Sequence, residues 1–192
     1  MERIIYDQVG EDPFKHYIMN LHLQAYTWVH QYCFGKKILD AACGTCFGTM
    51  IYSLGAKEII AVDKDKKAIE SGKKLKQFCP VKYLVKDLDK DILPEADICV
   101  SVETIEHLNG NGFFLKNLKV NTLVFTIPLA MPGEFHNLVF NTEQEAVYYL
   151  KKNGWHPKRS VIQTTSVLVE DNVKGLYNVQ TYAFMGVAER SL

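Results

Sequence analysis

The chain has no apolar run long enough to cross a bilayer. It also has no surplus of charge. Lys plus Arg number 22 and Asp plus Glu number 22, so no long-range field draws in nucleic acid or an anionic membrane. Repeats, low-complexity tracts and linker-like stretches are missing. The opening "MERIIYDQVGEDPFK" is too polar for an export signal. The five cysteines (Cys33, Cys43, Cys46, Cys79 and Cys99) form an odd set. Together these absences predict a reduced, cytoplasmic protein with neither a membrane nor a nucleic-acid partner.

The 192 residues, 47% hydrophobic and 23% charged, suit one globular domain. Short apolar runs alternate with amphipathic stretches, the pattern of an α/β domain with a mostly parallel sheet. Strands are predicted at 37–42, 58–63, 81–85, 96–102 and 121–128, and helices at about 46–54, 65–78, 111–118 and 142–153. After Gly154 the pattern changes to two strands with a polar loop between them. The expected fold is therefore a Rossmann-like, doubly wound, seven-stranded sheet with a C-terminal antiparallel hairpin. Residues 1–35 form a helical lead-in or lid, 36–155 the core and 156–192 the hairpin. In such a sheet, ligands bind beyond the carboxyl ends of the strands, where strand order reverses.

The segment "LDAACGTCFG" (39–48) follows the first strand. Its Cys43 and Cys46 admit a thiol-disulfide reading, since a helix start lowers a thiol pKa. A zinc site would need about four ligands, and the chain has no second C-x-x-C. The third reading is a ligand loop: Ala42, Gly44 and Gly48 are small where the chain turns, and a helix start offers free N–H groups. Asp63 closes the second strand about 20 residues on, where a carboxylate can take both hydroxyls of a ribose. A dinucleotide fingerprint would place its third glycine at Phe47, which disfavours a nicotinamide enzyme.

With these residues in view, the chain resembles a class I S-adenosylmethionine-dependent methyltransferase over about residues 20–155. "ILDAACGTCFGT" resembles the family's first motif, D-x-x-C-G-T-G-x-G, and "AVD" its second. "VSVETIEHL" resembles the "ExIEHL" signature of small-molecule, sugar and lipid methyltransferases. The resemblance implies S-adenosylmethionine as cofactor and S-adenosylhomocysteine as product. Asp40, Ala42, Cys43, Gly44 and Thr45 would line the methionine part. Asp63 would hold the ribose with Lys64 beside the adenine, and Asp87 and Leu88 would flank that ring. Val102 and Glu103 would face the sulfonium, and His22 and Tyr26 would close over the pocket. Cys46 departs from the pattern, standing where the family has a loop glycine. A positive φ there would cost on the order of 1 kcal/mol, and the thiol would crowd the methionine end.

Methyl transfer to a hydroxyl is helped by a base. The candidates are Glu103, Glu106, His107 and His136, with Glu103, His107 and His136 taken as catalytic. If a helix starts at 103, then Glu103, Glu106 and His107 share one face. That set could hold a divalent metal, as in the small-RNA 2′-O-methyltransferases that also carry E-x-x-E-H, but the expectation here is no metal. Cys33, Cys79 and Cys99 read as small buried residues. The expected acceptor is a small molecule or saccharide offering an oxygen or nitrogen. The alternatives are a non-catalytic binding module of this fold, a thiol-disulfide enzyme, or a metal-assisted RNA methyltransferase. The acceptor's identity and the oligomeric state are not legible in the sequence.

Overall fold

The computed structural model describes residues 13–164, 168–170 and 181–191. Helix α1 (Pro13–His30) leads into strand β1 (Lys37–Ala41), then α2 (Phe47–Tyr52), β2 (Glu58–Asp63), α3 (Lys66–Gly72), β3 (Val81–Val85) and β4 (Ile98–Val102). A single 3₁₀ turn, Ile105–His107, precedes α4 (Phe113–Asn117), β5 (Thr122–Pro128) and α5 (Glu143–Lys152). Strands β6 (Trp155–Thr164), β7 (Leu168–Glu170) and β8 (Thr181–Arg190) close the chain.

The sheet runs in the order β3-β2-β1-β4-β5-β8-β6-β7. The first five strands pair in parallel, whereas β8 is antiparallel to β5 and to β6. Seven strands carry the expected doubly wound plan, and β7 adds a three-residue eighth at the far edge. The expected C-terminal antiparallel pair is β6 with β8. The last strand, β8, inserts between β5 and β6. A glycine at 186 allows this: a Cβ there would lie 2.7 Å from the Phe125 ring and 3.0 Å from Arg159 O, so a side chain would collide. Of the expected polar loop at 170–178, residues 171–178 lie outside the described residues.

Period-two alternation buries both faces of the parallel strands, as a sheet covered by helices requires. Leu39, Ile60, Val62, Cys99, Leu123 and Phe125 face one cluster with Leu115, Leu118, Ala146 and Leu150. Ile38, Ile59, Ala61, Ile98, Val100 and Val124 face the other, against Leu21, Ala25, Trp28 and Val29 of α1. Helix α5 starts where predicted because Thr142 caps it, its side chain accepting from Glu145 N. Its end follows from Asn153 and from Gly154 at φ +87°. Helix α3 stops at Gly72, earlier than the predicted 78. The chain order reverses between β1 and β4, so their carboxyl ends define the crevice.

Candidate functional site

At the tip of β1 the backbone enters the left-handed region three times, at Ala42 (φ +58°), Gly44 (φ +56°) and Cys46 (φ +63°). The two non-glycine residues each cost on the order of 1–2 kcal/mol, and hydrogen bonds hold the loop in that shape. Cys43 N–H donates to Val62 O at 2.9 Å, and Cys46 N–H donates to Cys43 O at 2.9 Å. Gly44 N–H donates to the Asp63 carboxylate at 2.9 Å. The other oxygen of Asp63 accepts from Asp65 N at 2.8 Å. The two strand tips that the sequence singled out are thus bonded to each other, and Asp63 is 1% exposed.

Beside this junction lies a cleft lined by Ala42, Asp63, Lys64, Asp87, Leu88 and His107, all anticipated as site residues. Lys86, Asp89, Thr104 and Leu108 line it too, and sequence reasoning missed them. The register β2–β3, with Asp63 opposite Val85, is the signal that puts Lys86 next to the cleft. Asp87 is held below the usual carboxylate range, first by the Asp89 N–H donating to it and then by Lys90. Thr104 Oγ1 donates to Val102 O at 3.0 Å and to Ala41 O at 3.4 Å, tying the exits of β4 and β1 together.

Asp40 sits below the loop, 6% exposed, and accepts from Thr49 Oγ1. Burial pushes its carboxyl up to about 7, the Thr49 bond opposing and the Asp63 charge adding to the rise. The Cys46 thiol does not crowd the cleft. It is wholly buried, packed against Gly72 of α3 and 3.6 Å from the Cys43 sulfur. Cys43 is raised well above the thiol range by its bond to Cys46, by burial and by Asp40. That is the reverse of a low-pKa nucleophile, so the geometry does not favour thiol-disulfide chemistry. Thr45 is half-buried in the loop. Tyr26 packs beside Gly48 and edge-on to Tyr52, and His22 Nδ1 lies 3.3 Å from its hydroxyl. This pair abuts α2, and neither residue lines the cleft. Burial lowers His22 to about 4. Cys33 and Cys99 are buried as expected, but Cys79 is only half-buried.

The expected helical face of Glu103, Glu106 and His107 does not form. Glu103 stands at φ +47°, outside the 3₁₀ turn. Thr126, paired with Val102 across β4 and β5, clamps it there. The Thr126 hydroxyl accepts from Glu103 N at 2.9 Å and donates to Glu103 Oε1 at 2.9 Å. Burial raises Glu103 to about 7, with the Thr126 bond opposing. Val102 is half-buried at the end of β4. Glu106 is 1% exposed, and its carboxyl is pushed well above the usual range by burial and by the Glu103 charge.

The 129–141 loop folds onto the 3₁₀ turn. Glu106 O accepts from Asn137 N at 2.8 Å and Leu138 N at 2.9 Å, and Asn137 Nδ2 donates to His107 O at 2.8 Å. His136 thereby meets His107 edge to face, ring centroids 4.8 Å apart. One ligand atom each of Glu106, His107 and His136 lies within 4.8 Å of the others. Burial holds His107 below the usual imidazole range.

Residues 39–119 match a family described as a methyltransferase domain. The matched segment is 81 of the 192 residues and contains every residue that lines the cleft. A Mycobacterium tuberculosis protein named "Probable S-adenosylmethionine-dependent methyltransferase" is 27% identical over 104 residues, 53% of this chain. The match spans only 37% of that relative's length. Among solved structures, magnesium protoporphyrin IX methyltransferase from Synechocystis with bound S-adenosylhomocysteine superposes with TM-score 0.69 at 15% identity. That match covers 94% of this chain and 88% of the other. A methyltransferase structure from Haloferax volcanii, in complex with the Trm112 activator, gives TM-score 0.71 at 10% identity, covering 91% and 92%. These likenesses concern the fold.

Proposed function

We propose that this chain moves the methyl group of S-adenosylmethionine to an oxygen or nitrogen of a small-molecule or saccharide-like acceptor. The observation that carries the reading is the bonded junction of Gly44 and Asp63 at the mouth of the cleft. The donor set suits the cofactor. Asp63 and Asp87 are acceptors for hydroxyl and amine donors, while Ala42, Leu88 and Leu108 offer apolar walls to a flat ring. When bound, the cofactor supplies a methyl group on a positively charged sulfur.

The chain's residues then do the rest. Asp40 and the backbone of 42–45 bind the amino-acid tail, and Asp63 with Lys64 orients the nucleoside. Glu103, poised near neutral pH by burial, takes the proton that the acceptor hydroxyl loses. With the methyl group supplied by the bound cofactor, Glu103 would pass the proton of the acceptor hydroxyl on to solvent. His107 and His136 contact the acceptor from the rim. The exposed Met131, Phe135 and Val139 beside them give the acceptor an apolar wall.

Isothermal titration with S-adenosylhomocysteine tests the reading, with saturable one-to-one binding expected. No heat at millimolar ligand would end it. Labelled methyl appearing on an acceptor panel would exclude the non-catalytic module.

A further inference from the structure

We propose that the loops entering β1, β2 and β3 form a docking face for a bilayer surface rich in anionic lipid. Each of these three loops carries the same pair: one large apolar residue and one lysine two or three positions away. The pairs are Phe34 with Lys36, Leu54 with Lys57, and Phe78 with Lys76. Phe34 is 62% exposed, Leu54 59% and Phe78 54%. One exposed leucine calls for no explanation, but three such side chains at neighbouring strand entries do.

The three loops make one surface. Gly35 N–H donates to Gly55 O at 2.8 Å and Lys57 N–H donates to Lys36 O at 2.8 Å, joining the first loop to the second. Phe78 N–H donates to Ser53 Oγ at 3.0 Å, joining the second to the third. The Phe34 ring lies over Gly55, where a Cβ would sit 2.9 Å from it. The strands are neighbours in the order β3-β2-β1. At about 4.8 Å between strands, the apolar tips form a row about 10 Å long.

The charge at this face favours a lipid surface. Lys36, Lys57 and Lys76 make no ion pair among the described residues. The acids beside them are engaged elsewhere: Glu58 pairs with Lys37 at 3.1 Å, and the Asp97 carboxylate accepts from Lys37 N at 2.8 Å. Lys76 Nζ stands 5.2 Å from the centre of the Phe78 ring. Equal totals of 22 basic and 22 acidic residues therefore conceal a local excess of positive charge. A lysine stem can lie along the apolar tips while its ammonium stays at headgroup level. Apolar side chains in the acyl boundary with cations among the headgroups bind an anionic membrane surface. An acidic protein would satisfy the lysines but would need a pocket for each of three separate tips, and a bilayer needs none. The cleft opens at the carboxyl ends of the same strands, which are five or six residues long, about 15–20 Å away. A docked chain therefore keeps its cleft toward water. This face places the protein and does not deliver lipid to the cleft, and the inference stands apart from the cofactor reading.

The test is co-sedimentation of the full-length chain with vesicles of phosphatidylcholine containing about 30% phosphatidylserine, compared with pure phosphatidylcholine. Binding should be at least ~10-fold tighter to the anionic vesicles, and should weaken ~10-fold or more between about 0.1 M and about 0.5 M salt. The double variants Lys36→Glu with Lys57→Glu and Phe34→Ser with Phe78→Ser should each weaken it by at least ~10-fold. Tyr148→Ser removes an exposed ring on α5 and should leave it unchanged. The lysine variant alters exposed side chains without ion pairs, so it decides the matter even if the phenylalanine variant fails to fold. No binding, equal binding to both vesicles, or wild-type binding by either double variant would overturn the face. Binding to polyglutamate but not to vesicles would overturn it in favour of an acidic protein partner. Titration of the same proteins with S-adenosylhomocysteine should give one result for all of them, so failure of the cofactor reading and failure of this face appear separately.

Discussion

Gly72→Ala should destabilise the protein through the 42–46 loop, and Cys46→Gly should reverse the sign of the effect. A Cβ on Gly72 would overlap the Cys46 thiol and lie 2.7 Å from Cys46 Cβ and 3.1 Å from Thr45 O. The thiol is wholly buried and Cβ cannot swing away by a rotamer change, so the loop must move. Such overpacking costs about 1–3 kcal/mol. Gly72 is the last residue of α3, where alanine would otherwise gain about 0.5–1 kcal/mol. The net loss is therefore about 1–2 kcal/mol. Cys46→Gly alone relieves the left-handed strain, about 1 kcal/mol, and forfeits a similar amount of buried thiol packing. In that background both atoms that oppose the new methyl are gone, apart from a few tenths of an ångström at Thr45 O. Gly72→Ala should then stabilise by up to about 1 kcal/mol. Denaturant unfolding of the four proteins gives the cycle, with an interaction energy of about 2–3 kcal/mol expected. Affinity for S-adenosylhomocysteine should fall in the Gly72→Ala single variant and recover in the double. Additivity within about 0.5 kcal/mol would refute this account of the loop.

Asp40→Asn should flatten the pH dependence of stability. The carboxyl, near 3.8 when unfolded and about 7 when folded, contributes stability that is complete below pH 4 and lost as pH rises through 7. The loss is at most about 4 kcal/mol at pH 8, and unfolding curves from pH 5 to 8 measure it. The asparagine oxygen can still accept from Thr49. Glu103→Gln should lower turnover by roughly 10²–10⁴-fold while S-adenosylhomocysteine still binds. In the wild type the rate should rise with pH through about 7, because the base acts ionised. A flat profile from pH 5.5 to 8.5 would remove Glu103 from that role.

Strands and switch point were legible in the sequence because their signal is local. A buried parallel strand is an apolar run such as "EIIAVD", and its tip is marked by the polar residue that ends it. Hence the order of residues alone places Asp40, Asp63 and the 42–46 loop, and it flags Cys46 as the residue that a positive φ would strain. The direction of the Cys46 side chain is not legible there, because it depends on α3 bringing a glycine to that spot. The run 103–107 reads as one helical face and is not one, since nothing in "ETIEH" announces that Thr126, 23 residues later, holds Glu103 in a left-handed turn.

Sequence alone determined the alternation of strands and helices, the sheet buried on both faces, and the position of the two strand tips proposed to hold the cofactor, because hydrophobic period and chain-end chemistry act over a few residues. Tertiary structure decided where β8 lies, which way Glu103 faces and that His136 meets Glu106 and His107. Each of those outcomes is a contact between segments far apart in the chain, and one-dimensional spacing carries no information about it.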